Sequence, residues 1–249
     1  MRRGTRDSRP GGHLVTNAPW PAAGRRPTST GIRRTGARVR QPSVPVTTEW
    51  VVVVPVKGTA QAKSRFGSGD HSTLALAMAV DTVTAAMAAE SVAGVLVVTT
   101  AEASGIFDDL GAFVIVEETA GLTSAIDLGV ATAIELGEPW RGIAVLLGDL
   151  PALTPAELGA ALAAAQSYPR AMVSDAAGDG TVLITASSGS FHSPRFGPGS
   201  SSAHRAEGYM PLEVSASSGL RNDVDSASGL ALLDGRLGVW TTRVVAEKA

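Results

Sequence analysis

The chain has 249 residues, of which 44% are apolar, 18% charged and 4% aromatic, and its formal net charge is −2. That length allows one large domain or two small ones of about 100–200 residues, and the near-neutral balance excludes a broad attraction to nucleic acid or membranes. The absence of cysteine excludes disulfides, zinc–thiolate sites and thiol catalysis and fits a cytoplasmic protein, while no apolar run approaches the ~20 residues of a bilayer span.

Charge is unevenly placed. Residues 1–48 carry ten arginines, from Arg2 to Arg40, against very few acids, with Pro, Gly, Ser and Thr between them. Such a segment cannot bury enough surface to offset its ordering entropy, so it reads as a disordered N-terminal extension. A transit peptide, a nucleic-acid arm and an upstream stretch translated from a misassigned start are the alternatives; the disordered tail and the misassigned start are preferred. Arg2-Arg3 is not followed by an apolar stretch, so it does not work as an export signal. The body, residues 49–249, is then acidic. That does not argue against an anionic substrate, because a bound cation reverses the local sign of a site.

Order begins at Trp50. The run Trp50-Val51-Val52-Val53-Val54-Pro55-Val56 has the unbroken apolar character of a strand buried on both faces. An Ala-, Leu- and Met-rich helix is expected over residues 72–90, strands over 95–99 and 112–117, a helix over 122–136 and a strand over 143–147. Pro155, behind the N-cap candidate Thr154, opens a helix to about Gln166. Strands over 171–174 and 181–186, a polar stretch over 187–202, a short helix and a terminal helix near 226–233 complete the order. Alternating strands and helices predict an α/β fold in one domain, a mainly parallel sheet flanked by helices. Ligands in such sheets sit at the carboxyl ends of strands.

Three junctions can carry chemistry. The first strand runs into Lys57-Gly58-Thr59-Ala60-Gln61-Ala62-Lys63-Ser64-Arg65. Lys57, Lys63 and Arg65 could offset the charge of a nucleoside triphosphate while Gly58 lets the backbone approach; the alternative is a solvated basic loop. The spacing of a Walker loop is absent. The strand over 143–147 ends in Gly148-Asp149-Leu150-Pro151, where Asp149 is costly unless solvated, paired or metal-bound, or is simply a turn residue. In Leu220-Arg221-Asn222-Asp223-Val224-Asp225, two carboxylates two residues apart face one side of an extended segment and can grip one cation. Asp225 could instead cap the last helix. Together with Asp149 they supply three acids for one or two Mg²⁺ ions.

A Gly- and Ser-rich stretch, Gly178-Asp179-Gly180-Thr181 and then Pro194-Arg195-Phe196-Gly197-Pro198-Gly199-Ser200, offers backbone N–H groups and hydroxyls to an anion. A flexible linker is the alternative, although Arg195 and Phe196 are unusual in one. His204 reads as a structural or surface residue rather than a catalytic one, and His192 is assigned no role.

In this order, Lys57 with Ala62-Lys63-Ser64-Arg65, Gly148-Asp149-Leu150-Pro151-Ala152-Leu153, Pro194-Arg195-Phe196-Gly197 with Ser200, and Leu220-Arg221-Asn222-Asp223-Val224-Asp225 resemble the phosphoenolpyruvate or 2-phospho-L-lactate guanylyltransferase family of coenzyme F-420 biosynthesis. Each motif is weak alone; the ordered set is specific. The resemblance covers about residues 50–233. It implies a nucleotidyltransferase domain of the GT-A-like, Rossmann-like kind that uses GTP as donor. It further implies that Asp149, Asp223 and Asp225 are metal ligands, that Thr181, Gly197 and Ser200 contact the phosphorylated acid, and that Lys57, Lys63 and Arg65 lie near the triphosphate as the catalytic cations. Asp179 departs from the family, which often has Thr in that turn; a carboxylate there would repel an anionic acceptor unless it points away. The basic tail has no counterpart in the family core.

The implied reaction is attack of an acceptor phosphate oxygen on the α-phosphorus of GTP with loss of pyrophosphate. The partners implied are small molecules, GTP and phosphoenolpyruvate or 2-phospho-L-lactate, with a slight preference for phosphoenolpyruvate; a homodimer is left open. The rivals are a transferase of the same fold with another base or acceptor, such as a cofactor cytidylyltransferase, and a catalytically silent nucleotide-binding subunit.

Overall fold

A computed structural model of the chain describes residues 13–14, 49–56, 71–117, 121–136 and 142–247. In chain order the strands are β1 (His13–Leu14), β2 (Trp50–Pro55), β3 (Val92–Thr99), β4 (Phe113–Val116), β5 (Gly142–Leu146), β6 (Arg170–Ser174), β7 (Thr181–Ala186) and β8 (Met210–Pro211). The α-helices are α1 (His71–Met87), α2 (Ala101–Asp109), α3 (Leu122–Leu136), α4 (Pro155–Ala165), α5 (Ser200–Ala206), α6 (Ala227–Ala231) and α7 (Val239–Ala246).

The eight strands form one sheet in the order β1-β4-β3-β2-β5-β7-β6-β8. From β4 to β5 the neighbours are parallel, as alternation with helices predicts. Beyond β5 the pattern changes: β7 lies antiparallel to both β5 and β6, and only β8 restores a parallel pair. The chain turns back within six residues between β6 and β7, too few for a parallel crossover, so this pair must be a hairpin.

Strand β2 is buried along its whole length because both faces of the sheet are covered. Trp50, Val52 and Val54 pack with Val83 and Ala86 of α1, Phe107 of α2, and Leu158 and Leu162 of α4. Val51 and Val53 face the other way, into Ile126 and Ala133 of α3 and Tyr209. Each such aliphatic side chain contributes roughly 1.5–3 kcal/mol when fully buried.

The helix at Pro155 starts as its sequence dictates. Thr154 accepts the Glu157 N–H, and the Glu157 carboxylate accepts the Thr154 N–H at 2.9 Å, which closes a capping box.

Four elements differ from the sequence expectation. Helix α2 buries only Ala103 and Phe107 and carries Gly105 in its interior, a weak helical signal. Helix α7 is rich in Val and Thr and begins at Gly238, which has no capping side chain. Its cap comes from Asp81 in α1, whose two carboxylate oxygens accept the N–H groups of Trp240 (3.1 Å) and Thr241 (2.8 Å). A cap supplied from 160 residues away leaves no local signature. The two-residue β8 pairs with Ala171 and Met172 of β6, and β1 adds antiparallel to β4, with His13 opposite Val116. Strand β1 lies within the segment expected to be disordered: edge pairing needs only a few backbone groups, which composition does not register. The remainder of residues 1–48 is outside the described set. Among the described residues, no helix is long and apolar enough to cross a membrane.

Candidate active site

Sequential connections run from β2 to β3 and β4 on one side, whereas β5 joins β2 on the other. The crevice at the carboxyl ends of β2 and β5 is therefore the topological switch point, where ligands of open α/β sheets bind. Gly148, following β5, packs beside Pro55 and Val56 at the end of β2. Asp149 comes next.

Buried Thr82 of α1 sets the path of that turn. Its Oγ shares one hydrogen between the carbonyls of Met78 (2.9 Å) and Gly148 (3.3 Å) and accepts the Leu150 N–H (3.1 Å). The peptide groups on both sides of Asp149 are thus held by one hydroxyl.

The second pair of acids reaches Asp149 through tight backbone contacts. A 3-10 turn, Gly219–Arg221, presses so closely on the α4 approach that a Cβ on Gly219 would overlap the Ala152 carbonyl. Only glycine allows that approach. The other oxygen of Glu157 accepts the Gly219 N–H (2.8 Å) and the Ser218 hydroxyl (2.9 Å), so the acid that caps α4 also holds this turn. Arg221 donates to the carbonyls of Ser174, Asp175 and Val214, fastening the segment to the end of β6. The Val224 N–H then bonds to the Asp149 carbonyl at 3.0 Å, while the Val224 side chain is buried against Met78 and Ala152.

With Val224 turned inward, Asp223 and Asp225 share the other side. Carboxylate oxygens of Asp149, Asp223 and Asp225 lie within 4.8 Å of one another. Burial, then the negative charges of Asp175 and Asp225, push the Asp223 carboxyl up to about 6. Three oxygen donors that repel one another in a half-buried corner fit a hard divalent cation, which would offset that repulsion. Capping of α6 belongs to Ser226, whose Oγ accepts the Gly229 N–H at 3.1 Å, so Asp225 is not the cap.

The three residues that the resemblance assigns to the acceptor are also neighbours, on a different scaffold. Thr181 opens β7 and is only 3% exposed; Ser200 opens α5 and is 2% exposed; Gly197 sits between them in an exposed loop with φ 131°, a conformation that favours glycine. Thr181 Oγ lies 3.0 Å from His204 Nδ1, and Nε2 of the same ring accepts the Arg195 N–H at 2.8 Å. The Phe196 and Tyr209 rings meet His204 edge-on, with centroids at 5.1 and 5.2 Å. Burial, and then the nearby Arg195 charge, lower the His204 pKa to about 4. His192 is also held neutral, down to about 4, by burial; it bridges the Ile143 carbonyl and the Tyr209 hydroxyl.

Asp179 turns into the loop that precedes α5. Its carboxylate accepts the Gly199 N–H at 3.1 Å and its carbonyl accepts the Ser201 N–H at 2.9 Å. Asp175 braces the turn by accepting from Gly178, Asp179 and Gly180. The Arg195 guanidinium pairs with Glu207 at 2.9 Å.

Lys57, Lys63 and Arg65 lie outside the described residues. Sequence reading did not find Thr82, Glu157 or His204. Thr82 and His204 are ordinary residues until a distant partner is known; only Glu157, three residues after Thr154, carried a local capping signal.

The chain matches no protein-family model. It is 44% identical over 187 residues to the phosphoenolpyruvate guanylyltransferase of Streptomyces coelicolor, covering 73% of this chain and 88% of the relative. It is 48% identical over 194 residues to the phosphoenolpyruvate guanylyltransferase of Salinispora arenicola, covering 75% and 88%. Among solved structures, a protein of Desulfovibrio desulfuricans G20 provisionally named a nucleotide-diphospho-sugar transferase superposes with TM-score 0.59 at 17% identity, over 81% of this chain and 96% of that one. A 4-diphosphocytidyl-2C-methyl-D-erythritol synthase superposes with TM-score 0.52 at 13% identity, over 75% and 96%. At those identities the structural likeness establishes a nucleotidyltransferase-like fold and no more.

Proposed function

The chain belongs to the phosphoenolpyruvate guanylyltransferase family, and we propose that it transfers GMP from GTP to phosphoenolpyruvate with release of pyrophosphate, a cytoplasmic step in coenzyme F-420 biosynthesis. The observation that carries the reading is the meeting of Asp149 with Asp223 and Asp225 at the switch point between β2 and β5.

In this reading the three carboxylates hold Mg²⁺. A divalent cation there supplies positive charge to phosphate oxygens around the reacting phosphorus. Lys57 follows directly on Val56 at the end of β2, which favours a place for Lys57, Lys63 and Arg65 beside the triphosphate. Thr181 and Ser200 form the floor of the acceptor site and the exposed Gly197 backbone its rim.

A phosphate oxygen of the acceptor attacks the α-phosphorus of GTP; a P–O–P linkage forms, and the bond to the β-phosphate oxygen breaks to release pyrophosphate. The attacking phosphate is already ionised, so the chain's task is positioning rather than proton abstraction. That agrees with both neighbouring histidines being neutral and engaged in hydrogen bonds.

The test is pyrophosphate release from GTP and Mg²⁺ with phosphoenolpyruvate and 2-phospho-L-lactate supplied separately, and with CTP in place of GTP. Release with GTP and phosphoenolpyruvate alone is expected. Release only with 2-phospho-L-lactate moves the acceptor; release only with CTP moves the base; GTP binding without release under any of these conditions sinks the transferase reading.

A further inference from the structure

His204 is completely buried, and the reaction proposed above gives it no part. Its surroundings nevertheless fix its chemical form. The Arg195 backbone amide donates to Nε2 at 2.8 Å. A backbone amide has only a hydrogen to offer, so Nε2 must present its lone pair. The neutral ring therefore carries its hydrogen on Nδ1.

That assignment reaches Thr181. Nδ1 lies 3.0 Å from Thr181 Oγ, and the Ser200 carbonyl also accepts from the ring. A protonated Nδ1 cannot accept, so the Thr181 hydroxyl cannot give its hydrogen to His204. Among the described residues Thr181 Oγ has no second side-chain partner, and its hydrogen remains to be donated. The same ring is the contact surface for Phe196, edge-on at 5.1 Å and 72°, next to Gly197. One imidazole thus touches β7, the loop over 194–199, and α5, the three elements that carry the acceptor residues.

We infer that His204 is a positioning residue for the phosphorylated acceptor: it keeps the Thr181 hydroxyl available as a hydrogen-bond donor and anchors the Arg195 end of the loop that presents Gly197 and Ser200. This rests on the proposed reaction and deepens it, because it makes acceptor affinity depend on a side chain that does not touch the acceptor. Replacing His204 therefore changes recognition of the acid and leaves recognition of GTP alone.

The experiment compares wild type with His204→Phe, Thr181→Val and the double variant, measuring KM for phosphoenolpyruvate and for GTP separately. Loss of one such hydrogen bond corresponds to roughly a tenfold rise in acceptor KM. We expect that rise in each single variant, GTP KM within about twofold of wild type, and a loss in the double variant smaller than the product of the two, since His204 acts in part by holding the hydroxyl that Thr181→Val deletes. Equal rises in both KM values, an unmoved acceptor KM, or effects that multiply in the double variant would overturn the inference. Should His204→Phe not fold, His204→Gln, whose amide oxygen can still accept the Arg195 N–H while the Nδ1 donor toward Thr181 is gone, carries the same comparison. An ¹⁵N spectrum of the wild-type imidazole reads the ring without turnover: the Nδ1–H tautomer is expected and the Nε2–H tautomer refutes the assignment. Wild type inactive with either acid overturns the reaction itself, whereas active wild type with an unshifted His204→Phe overturns only the role of His204.

Discussion

The carboxylate corner and the corner proposed for the acceptor achieve order in opposite ways. Asp149, Asp223 and Asp225 repel one another and are forced together by backbone: Thr82 brackets one segment, Gly219 and Glu157 seat the other, and a single bond from Val224 to Asp149 joins them. The acceptor corner has no comparable crowding of charge. It is organised around one neutral, buried ring whose two nitrogens are both engaged. A site for a cation tolerates repulsion because its ligand removes it; a site for an anion needs donors held ready and cannot leave charge to chance.

Replacing one of the three acids should break this contrast most sharply. Asp225→Asn removes one of the three clustered charges while keeping the size of the side chain. Turnover is expected to fall by roughly 10²–10³-fold, a magnitude usual for loss of one electrostatic partner of a reacting group. The melting temperature measured without Mg²⁺ should hold or rise as repulsion eases. Near-normal turnover would show that the cluster is not the cation site.

Gly219→Ala attacks the backbone that enforces the crowding. The added methyl would overlap the Ala152 carbonyl, so the turn must retreat and carry Asp223 and Asp225 away from Asp149. A loss of about 3 kcal/mol in urea unfolding is expected, together with weaker Mn²⁺ binding by titration calorimetry. Unchanged stability would mean that the turn relaxes freely and that the close approach is incidental.

These two corners were not equally legible in sequence. The acids were found because alternation around Val224 places Asp223 and Asp225 on one side, and because Asp149 ends a strand whose apolar run is unmistakable. The strand at 50–55 and the helices at 122–136 and 155–165 were equally plain, since their pattern is local. His204 was passed over because its contacts are a relation: its partners are 23 and nine residues distant, and only the fold brings them to one ring. Helix α7 was missed for the same reason, its cap residing in α1. Physics that is written within one turn of helix or one strand can be read from the chain. Physics that depends on tertiary partners cannot.

Acid should strike the acceptor corner first. His192 and His204 titrate at about 4 in the fold, against 6.5 when exposed. As pH falls from 6.5 toward 4 the unfolded chain takes up these protons and the native chain does not, so their contribution to stability is complete above 6.5 and lost across that window. For His192 the loss approaches about 3 kcal/mol, on the order of 1.4 kcal/mol for each pH unit that separates the folded and exposed rings. Urea midpoints measured between neutral pH and the lower end of that window should decline, and His192→Asn should decline less steeply. A variant slope equal to that of wild type would exclude His192 from the acid response.

The smallest expected effect sharpens the comparison most. Asp179 places a carboxylate on the Gly199 N–H, one residue before Ser200, so a negative charge stands beside residues proposed to bind an anion. Asp175 does not explain it, because its oxygens are committed to the turn over 178–180. In Asp179→Asn the side-chain oxygen still accepts the Gly199 N–H while the charge is gone. Acceptor KM should then fall by a few-fold at low ionic strength, and the advantage should shrink in about 0.5 M salt, since exposed charges are screened within about a Debye length. GTP KM should not move. A rise in acceptor KM would mean that Asp179 serves the acceptor by shaping the loop more than it opposes it by charge, and the carboxylate would then be a structural part of the site rather than a brake on it.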